Sequence, residues 1–205
     1  MNLELVFPFT MSILGACNSG KSHFIKYLIK RYKKKIDVVV VFTTTGFNGN
    51  YKYLSEYGIK NYLIDPLNLA KDLLKIMNKQ KKYLLQGLKP NVVLVFDDVM
   101  GSINPYDKKL QMIISSFRHY ETSLVYVSQY ASCIPTYIRE LSYYSIIFNQ
   151  TTIKSLKSVY ENYFPEAGNF NQFKNEFQRS LQQYQFYFVD KVKKKTIKAK
   201  APAVL

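Results

Sequence analysis

Residues 10–22 read Thr10-Met11-Ser12-Ile13-Leu14-Gly15-Ala16-Cys17-Asn18-Ser19-Gly20-Lys21-Ser22, a short apolar segment that runs into a loop bounded by glycines. The last eight residues fit the pattern G-x-x-x-x-G-K-[ST] of a phosphate-binding loop, or P-loop, at every fixed position. Such a loop directs backbone N–H groups at phosphate oxygens, and its glycines keep side chains out of the way. We therefore predict that residues 15–22 bind the phosphates of a nucleotide.

The two residues that close the motif have separate predicted roles. Lys21 is expected to reach the β- and γ-phosphates as a catalytic residue, and the Ser22 hydroxyl is expected to bind Mg²⁺. A helix predicted over residues 21–32 begins at the same point and adds the partial positive charge of its N-terminus. The alternative, an ordinary glycine-rich turn, is disfavoured because the motif lies directly between a predicted strand and a predicted helix.

Short β-branched apolar runs alternate along the chain with longer segments of helical spacing, which is typical of a parallel sheet covered by helices. The predicted fold class is therefore α/β, a mostly parallel central sheet flanked by helices, in one domain over residues 1–190. Strands are predicted over residues 10–14, 37–42, 62–64, 92–96, 123–128, 144–148 and 185–190, and helices over 21–32, 67–85, 106–117, 135–141, 154–163 and 171–184.

Two acidic residues follow the most apolar of these predicted strands. The run Val-Val-Leu-Val-Phe over residues 92–96 ends in Asp97 and Asp98. A P-loop enzyme needs a carboxylate near its Mg²⁺, so Asp97 is the predicted metal-side residue. Asp98 is predicted to orient or deprotonate the attacking water, with capping of the next turn as the alternative. The chain has no Asn-Lys-x-Asp sequence for reading guanine, which excludes the usual GTPase class.

Gln129 stands at the end of another predicted strand, 123–128. A polar side chain there, on a strand next to the acidic one, would touch both the γ-phosphate and the water, so Gln129 is a predicted catalytic sensor. The alternative is an amide that only caps a turn.

Composition limits the partners and the compartment. Lys+Arg 29 against Asp+Glu 14 gives a net charge of +15, which favours polyanions such as nucleic acid, nucleotide phosphates or an anionic membrane face. Two cysteines, Cys17 and Cys133, cannot form a disulfide framework, so a reducing compartment is expected. The longest apolar runs fall far short of the ~20 residues of a membrane helix, and no membrane partner is expected.

Taken together, the motifs resemble the genome-packaging ATPases of large double-stranded DNA viruses and virophages, of the poxvirus type, within the FtsK–HerA superfamily. Residues 43–87 match no motif of that family and contribute nothing to the resemblance. The residues that carry it lie, in order, at 15–22, Phe96-Asp97-Asp98, Arg118-His119, Ser128-Gln129, Ile134-Pro135, Ile138-Arg139, 146–148, Phe177 and 184–190.

The resemblance implies a RecA-like P-loop ATPase of the ASCE type that uses ATP and Mg²⁺ and assembles as a homo-oligomeric ring, a pentamer or hexamer. It also implies an arginine supplied by a neighbouring subunit, for which Arg118 and Arg139 are the candidates; the alternative for each is a surface ion pair. The implied partners are double-stranded DNA and capsid or portal vertex proteins. The implied location is the infected-cell cytoplasm, the virus factory or the virion.

Three basic runs are candidates for contact with DNA phosphates. The first run is Lys30, Arg31 and Lys33 to Lys35, the second is Lys79, Lys81 and Lys82, and the third is the lysine-rich segment 191–200. Residues 191–205 are predicted to form a flexible basic tail. The segment 43–53 is a further candidate, as a loop on the pore side of a ring.

Three hypotheses of function follow. The leading one is an ATP-hydrolysing motor that moves double-stranded viral DNA into a capsid. The second is a nucleotide-dependent switch that binds DNA or the capsid without turnover. The third is a P-loop nucleoside or nucleotide kinase, which leaves the motifs after residue 98 unexplained.

Overall fold

One sheet of eight strands organises the chain in the computed structural model, which describes residues 3–99 and 102–202. The strand order is β3-β2-β4-β5-β1-β6-β7-β8; the first six strands are parallel, and β7 and β8 are antiparallel additions. The strands are β1 Thr10–Leu14, β2 Val38–Phe42, β3 Lys60–Ile64, β4 Val92–Asp97, β5 Thr122–Ser128, β6 Tyr144–Phe148, β7 Gln185–Asp190 and β8 Lys195–Lys200.

Helices cover both faces of this sheet. One face packs against α1, α2 and the N-terminal segment, and the other packs against α3 to α7. The helices are α1 Lys21–Tyr32, α2 Tyr53–Glu56, α3 Leu69–Leu85, α4 Lys108–Ser116, α5 Thr136–Leu141, α6 Ile153–Tyr163 and α7 Phe170–Ser180.

The central strands are apolar at every position because both of their faces are buried. In β4, Val93 and Val95 point into the core under α1, whereas Leu94 and Phe96 point into the core under α3 and α4. This two-sided burial confirms the predicted α/β fold with a mostly parallel sheet.

The strand order also agrees with the predicted ASCE arrangement. Strand β5 lies between β1, which precedes the P-loop, and β4, which carries the acidic pair. Since all three are parallel, their carboxyl ends meet along one edge of the sheet, here called the carboxyl edge. The opposite edge, where the six parallel strands begin, is called the amino edge.

The predicted flexible tail is wrong for the part that forms β8. Residues Lys195–Lys200 pair with β7 along its whole length. Ile197 and Ala199 alternate with exposed lysines and pack against the core under α1. That period-2 alternation is a strand signal, and the number of lysines obscured it.

Other differences concern short elements and helix ends. Helix α2 was not predicted, and β3 begins two residues earlier than predicted, at Lys60. Helix α7 ends at Ser180 rather than residue 184, because Leu181 is extended and Tyr184 adopts a left-handed φ of 64° that turns the chain into β7.

No helix among residues 3–99 and 102–202 combines the length and the apolar character that a membrane crossing requires.

Candidate nucleotide site

The P-loop occupies the carboxyl edge, directly after β1. Its backbone is fixed to the ends of the two strands that flank β1: Gly15 N donates to Ser128 O (3.3 Å), and Ala16 N donates to Asn149 O (3.1 Å). The loop is therefore held from both sides, and its remaining N–H groups are free of the sheet ladder.

Both glycines of the motif are required by close packing. A Cβ on Gly15 would lie 2.4 Å from Ser19 Oγ and 2.6 Å from Phe148 Cβ. Gly20 has a φ of 112°, and a Cβ there would lie 2.8 Å from the Tyr184 ring. A side chain at either position would displace the loop from the strand ends that hold it.

Lys21 folds over the loop that it follows. Its Nζ donates to Gly15 O (2.7 Å) and Ala16 O (2.8 Å). Burial lowers the pKa of this ammonium, and the nearby acidic groups Asp97 and Asp98 act in the opposite direction. The lysine therefore lies against the P-loop and close enough to the acidic pair to be affected by its charge, and its contact with phosphate stays a prediction.

Features of the loop fit a nucleotide phosphate. Ser19 Oγ is buried and has no hydrogen-bond partner within the described part of the chain. Two concavities of about 250 Å³ and 150 Å³ flank the loop and share Ala16, Cys17 and Thr151 in their walls. An anion with several acceptor oxygens would give the hydroxyl, the loop N–H groups and Lys21 their partners.

A larger cavity of about 540 Å³ lies elsewhere, between β3 and α3. Its walls include Lys60 and Val38, which begin their strands at the amino edge. This cavity is therefore separate from the candidate nucleotide site, although it has the larger volume.

The acidic pair has two different environments. Asp97 is the last residue of β4 and is partly buried, whereas Asp98 is exposed. Asp98 also has a φ of 55°, a left-handed conformation that costs energy for a residue other than glycine. The two consecutive acids therefore differ in burial and in backbone conformation, and their separate roles at the metal and at the water stay predictions.

Tyr51 is a site residue that the sequence analysis missed. Its hydroxyl, on a ring only 5% exposed, donates to Asp97 Oδ2 at 2.7 Å. Burial raises the pKa of Asp97, and this hydrogen bond acts against that rise. Burial, then the neighbouring carboxylate, raise the pKa of Tyr51 itself, so the phenol stays a donor. A tyrosine in the motif-free segment gave no signal that could have revealed this contact.

Gln129 follows β5 and reaches the P-loop, and its role as a catalytic sensor stays a prediction. Its Oε1 accepts a hydrogen bond from Cys17 Sγ at 3.3 Å. The carboxyl edge thus brings together the P-loop, Lys21, the acidic pair and Gln129 from three neighbouring strands.

No hydrogen bond among residues 3–99 and 102–202 joins either arginine to the P-loop or the acidic pair of its own chain. Arg118 precedes β5 and donates from Nη1 to Tyr143 Oη (2.9 Å), beside the start of β6. Seven residues of strand β5 separate it from Gln129, about 23 Å at roughly 3.3 Å per residue. Arg118 is exposed at the amino edge, where a neighbouring subunit could meet it.

Arg139 is engaged within its own chain. Its Nη1 donates to Ala131 O (3.2 Å) and Ile134 O (2.7 Å), and its Nη2 donates to Thr136 Oγ1 (3.0 Å). These bonds tie the start of α5 to the turn before it. The geometry therefore gives Arg139 a structural role and leaves Arg118 as the better candidate for a site in trans.

Residues 3–164 match the family described as Poxvirus A32 protein, well over half of the chain. The chain belongs to the Poxvirus A32 protein family. The matched residues include the P-loop, Asp97, Asp98, Gln129 and both arginines, whereas α7, β7 and β8 lie beyond the match.

Two viral proteins are similar in sequence. The chain is 24% identical over 192 residues to Uncharacterized protein 075L of Invertebrate iridescent virus 6, covering 92% of this chain and 73% of that protein. It is 26% identical over 167 residues to Uncharacterized protein L437 of Acanthamoeba polyphaga mimivirus, covering 78% of this chain and 59% of that protein. The match thus spans less than two thirds of the mimivirus protein.

Solved structures share the fold of this family member. The genome packaging NTPase B204 from Sulfolobus turreted icosahedral virus 2, in complex with AMP, has a TM-score of 0.74 at 18% identity and covers 97% of this chain and 100% of that one. The pCW3 conjugation coupling protein TcpA has a TM-score of 0.63 at 15% identity, and the match covers 95% of this chain and 60% of that one. At these identities the likeness establishes the P-loop ATPase fold.

Proposed function

We propose that this chain is an ATPase motor that moves double-stranded viral DNA into a capsid. The observation that carries the proposal is the convergence of the P-loop, the acidic pair and Gln129 on one edge of a sheet whose strand order is that of P-loop ATPases. Membership of the Poxvirus A32 protein family supports the viral setting.

The residues of the carboxyl edge would divide the work on ATP. Residues 15–20 would bind the phosphates through backbone N–H groups, and Lys21 would leave its two carbonyl partners to contact the β- and γ-phosphates. Asp98, the exposed acid, would take the proton of the attacking water, and Gln129 would orient that water. Water attacks the γ-phosphorus in line, the bond to the β-phosphate oxygen breaks, and ADP and phosphate leave.

Mg²⁺ fits the oxygen ligands at this edge. Ser22 Oγ and the Asp97 carboxylate are the groups that would hold it, and hard oxygen ligands are those that Mg²⁺ prefers. Its contribution when bound would be to neutralise charge on the phosphate oxygens. Tyr51 restricts how the Asp97 carboxylate can turn, because one of its oxygens accepts the phenol hydrogen bond.

A ring assembly would supply the remaining positive charge. We place Arg118 of one subunit at the nucleotide of the next, in a pentamer or hexamer, since the arginine is exposed and far from its own P-loop. The proposed partners are double-stranded DNA and capsid or portal vertex proteins, met in the infected-cell cytoplasm, the virus factory or the virion.

ATP hydrolysis with and without duplex DNA tests this proposal. We expect turnover that duplex DNA stimulates and that Lys21→Ala reduces at least ~100-fold, because the lysine is expected to stabilise charge on the transferring phosphoryl group. Lys26→Ala, an exchange on the same helix away from the motif, is the control and should retain turnover. Nucleotide binding without any turnover, in assembled protein with DNA, would favour the switch hypothesis instead; transfer of phosphate to an added nucleoside would favour the kinase.

A further inference from the structure

Basic residues that are far apart in the sequence converge on the amino edge of the sheet. The ends of α1 and α3 and the β7–β8 turn all reach this edge. The lysines concerned, here called the basic edge, are Lys33, Lys34, Lys35, Lys60, Lys79, Lys81, Lys82, Lys89, Lys194 and Lys195, and all ten are exposed.

Contacts within the chain place each group at this edge. Lys33 to Lys35 form a short 3₁₀ helix that leads into β2. Lys60 is the first residue of β3 and lies level with Val38, the first residue of β2. On α3, Gln80 donates to Pro90 O (2.9 Å) and Tyr120 O (2.8 Å), which fixes the lysines beside it next to the starts of β4 and β5.

The far end of the edge comes from the C-terminal hairpin. Asp190 at the end of β7 pairs with Tyr144 at the start of β6, so the turn that follows it lies at the amino edge. That turn carries Lys194 and leads to Lys195, which opens β8.

Acidic groups near the same edge are fewer than the lysines, and three of them are engaged within the chain; the exposed Glu140, near Lys191, also lies close to it. Asp37 accepts from Asn91 N at 2.7 Å, and Glu4 pairs with Lys193 at 2.7 Å. Asp190 is buried and accepts from Val192 N and Lys193 N. Glu121 precedes β5 with a left-handed φ. Lysine therefore dominates the charge that this edge presents to solvent.

We propose that the basic edge binds the phosphate backbone of duplex DNA. This rests on the proposed function, which names DNA as the cargo but assigns no surface to it. Eight of the ten lysines lie on the side of the edge where β3, β2 and β4 begin, so the duplex and a neighbouring subunit that receives Arg118 would occupy different parts of the edge.

Exposed lysines suit this ligand better than a base-reading site. They are mobile point charges that contact phosphates without sequence preference, as a cargo of any sequence requires. An acidic protein would meet the same charge, so it is the competing occupant that the experiment must separate.

The test is the affinity of the full-length protein for a fluorescent 30-base-pair duplex, measured by anisotropy over a series of salt concentrations. We expect the triple variant Lys33→Ala, Lys34→Ala, Lys35→Ala to bind at least ~10-fold more weakly. The logarithm of the association constant falls with the logarithm of the salt concentration, and each lost phosphate contact should make that negative slope shallower by about one. The matched control removes three exposed lysines at the carboxyl edge, Lys108→Ala, Lys109→Ala and Lys154→Ala, and should bind like wild type.

Two outcomes would overturn the proposal. One is an equal loss in both triple variants, which would mean that only net charge matters. The other is a wild type that binds poly-glutamate at the edge but no duplex. Thermal unfolding of each variant excludes misfolding as the cause. ATP hydrolysis without DNA is measured in parallel. Turnover without duplex binding would contradict only the proposed DNA surface. Duplex binding without turnover would contradict only the proposed ATPase motor.

Discussion

At the scale of single residues, the site depends on one contact that no motif contains. Tyr51 donates to Asp97 from a segment between β2 and β3 that carries no family signature. The Tyr53 ring lies beside it, 6.0 Å between centroids, and its buried hydroxyl has no hydrogen-bond partner within the described part of the chain. These two tyrosines are similarly buried, and only one of them is bonded to the acidic pair.

We expect Tyr51→Phe to raise the Mg²⁺ concentration needed for tight ATP binding by about tenfold. A hydrogen bond to a charged group contributes about 1.5–3 kcal/mol, and its loss frees the Asp97 carboxylate to turn. The measurement is the affinity for a fluorescent ATP analogue at increasing Mg²⁺, and again in EDTA.

Tyr53→Phe is the control for this exchange, because it removes a hydroxyl from the same aromatic cluster without breaking a bond. It should leave the Mg²⁺ dependence unchanged. Equal behaviour of the two variants, or an effect of Tyr51→Phe that persists in EDTA, would assign Tyr51 to general packing.

At the scale of elements, β8 is a strand whose many lysines made its sequence resemble a flexible tail. Lys198 and Lys200 face solvent on one side while Ile197 and Ala199 pack on the core side, and lysine is also a residue that discourages pairing with other chains at a sheet edge. The segment after the strand returns to α1, where His23 Nε2 lies 2.7 Å from Pro202 O.

Substitutions on the two sides of β8 are expected to change stability by different amounts. We expect Ile197→Ala to lower the free energy of unfolding by about 1 kcal/mol, less than for a fully buried isoleucine because Ile197 is only half-buried. Lys198→Ala, at the next position on the exposed side, should change it by less than about 0.5 kcal/mol. Chemical denaturation measures both. A flexible tail would instead give no difference between them.

At the scale of the whole molecule, the proposed functions lie at the two edges of one sheet. The carboxyl edge holds the residues predicted to bind the nucleotide, and the amino edge holds the basic edge and Arg118. Since β5 separates Arg118 from its own P-loop, we expect Arg118 to act on the nucleotide of a second copy if it acts on ATP.

Mixing two inactive variants tests this arrangement. Arg118→Ala should bind ATP but lose at least ~100-fold in turnover, and Lys21→Ala should fail at its own site while still donating Arg118. Mixed rings should therefore regain part of the activity, measured as ATP hydrolysis against the mixing ratio. Arg139→Ala, which breaks bonds within its own chain, should lower the unfolding temperature and should not be rescued by mixing. Activity that stays at the sum of the separate variants would exclude Arg118 as the shared residue.

The chain order of the motifs determined the fold class and the central residues of the site. An apolar run, a P-loop and a helix are local patterns, so β1 and α1 were predicted with their observed bounds. Asp97, Asp98 and Gln129 could be placed at the carboxyl edge because strand ends can be recognised from the apolar runs that precede them.

Tertiary structure alone decided the contacts between distant segments. The Tyr51 bond to Asp97, the engagement of Arg139 and the merging of three lysine runs into one edge depend on how strands are ordered across the sheet. A run of lysines is the same in sequence whether it is a tail or a strand, and a tyrosine is the same whether its hydroxyl meets water or a carboxylate. Hydrogen bonding and burial set those differences, and both arise only when the sheet has formed and helices have packed on its two faces.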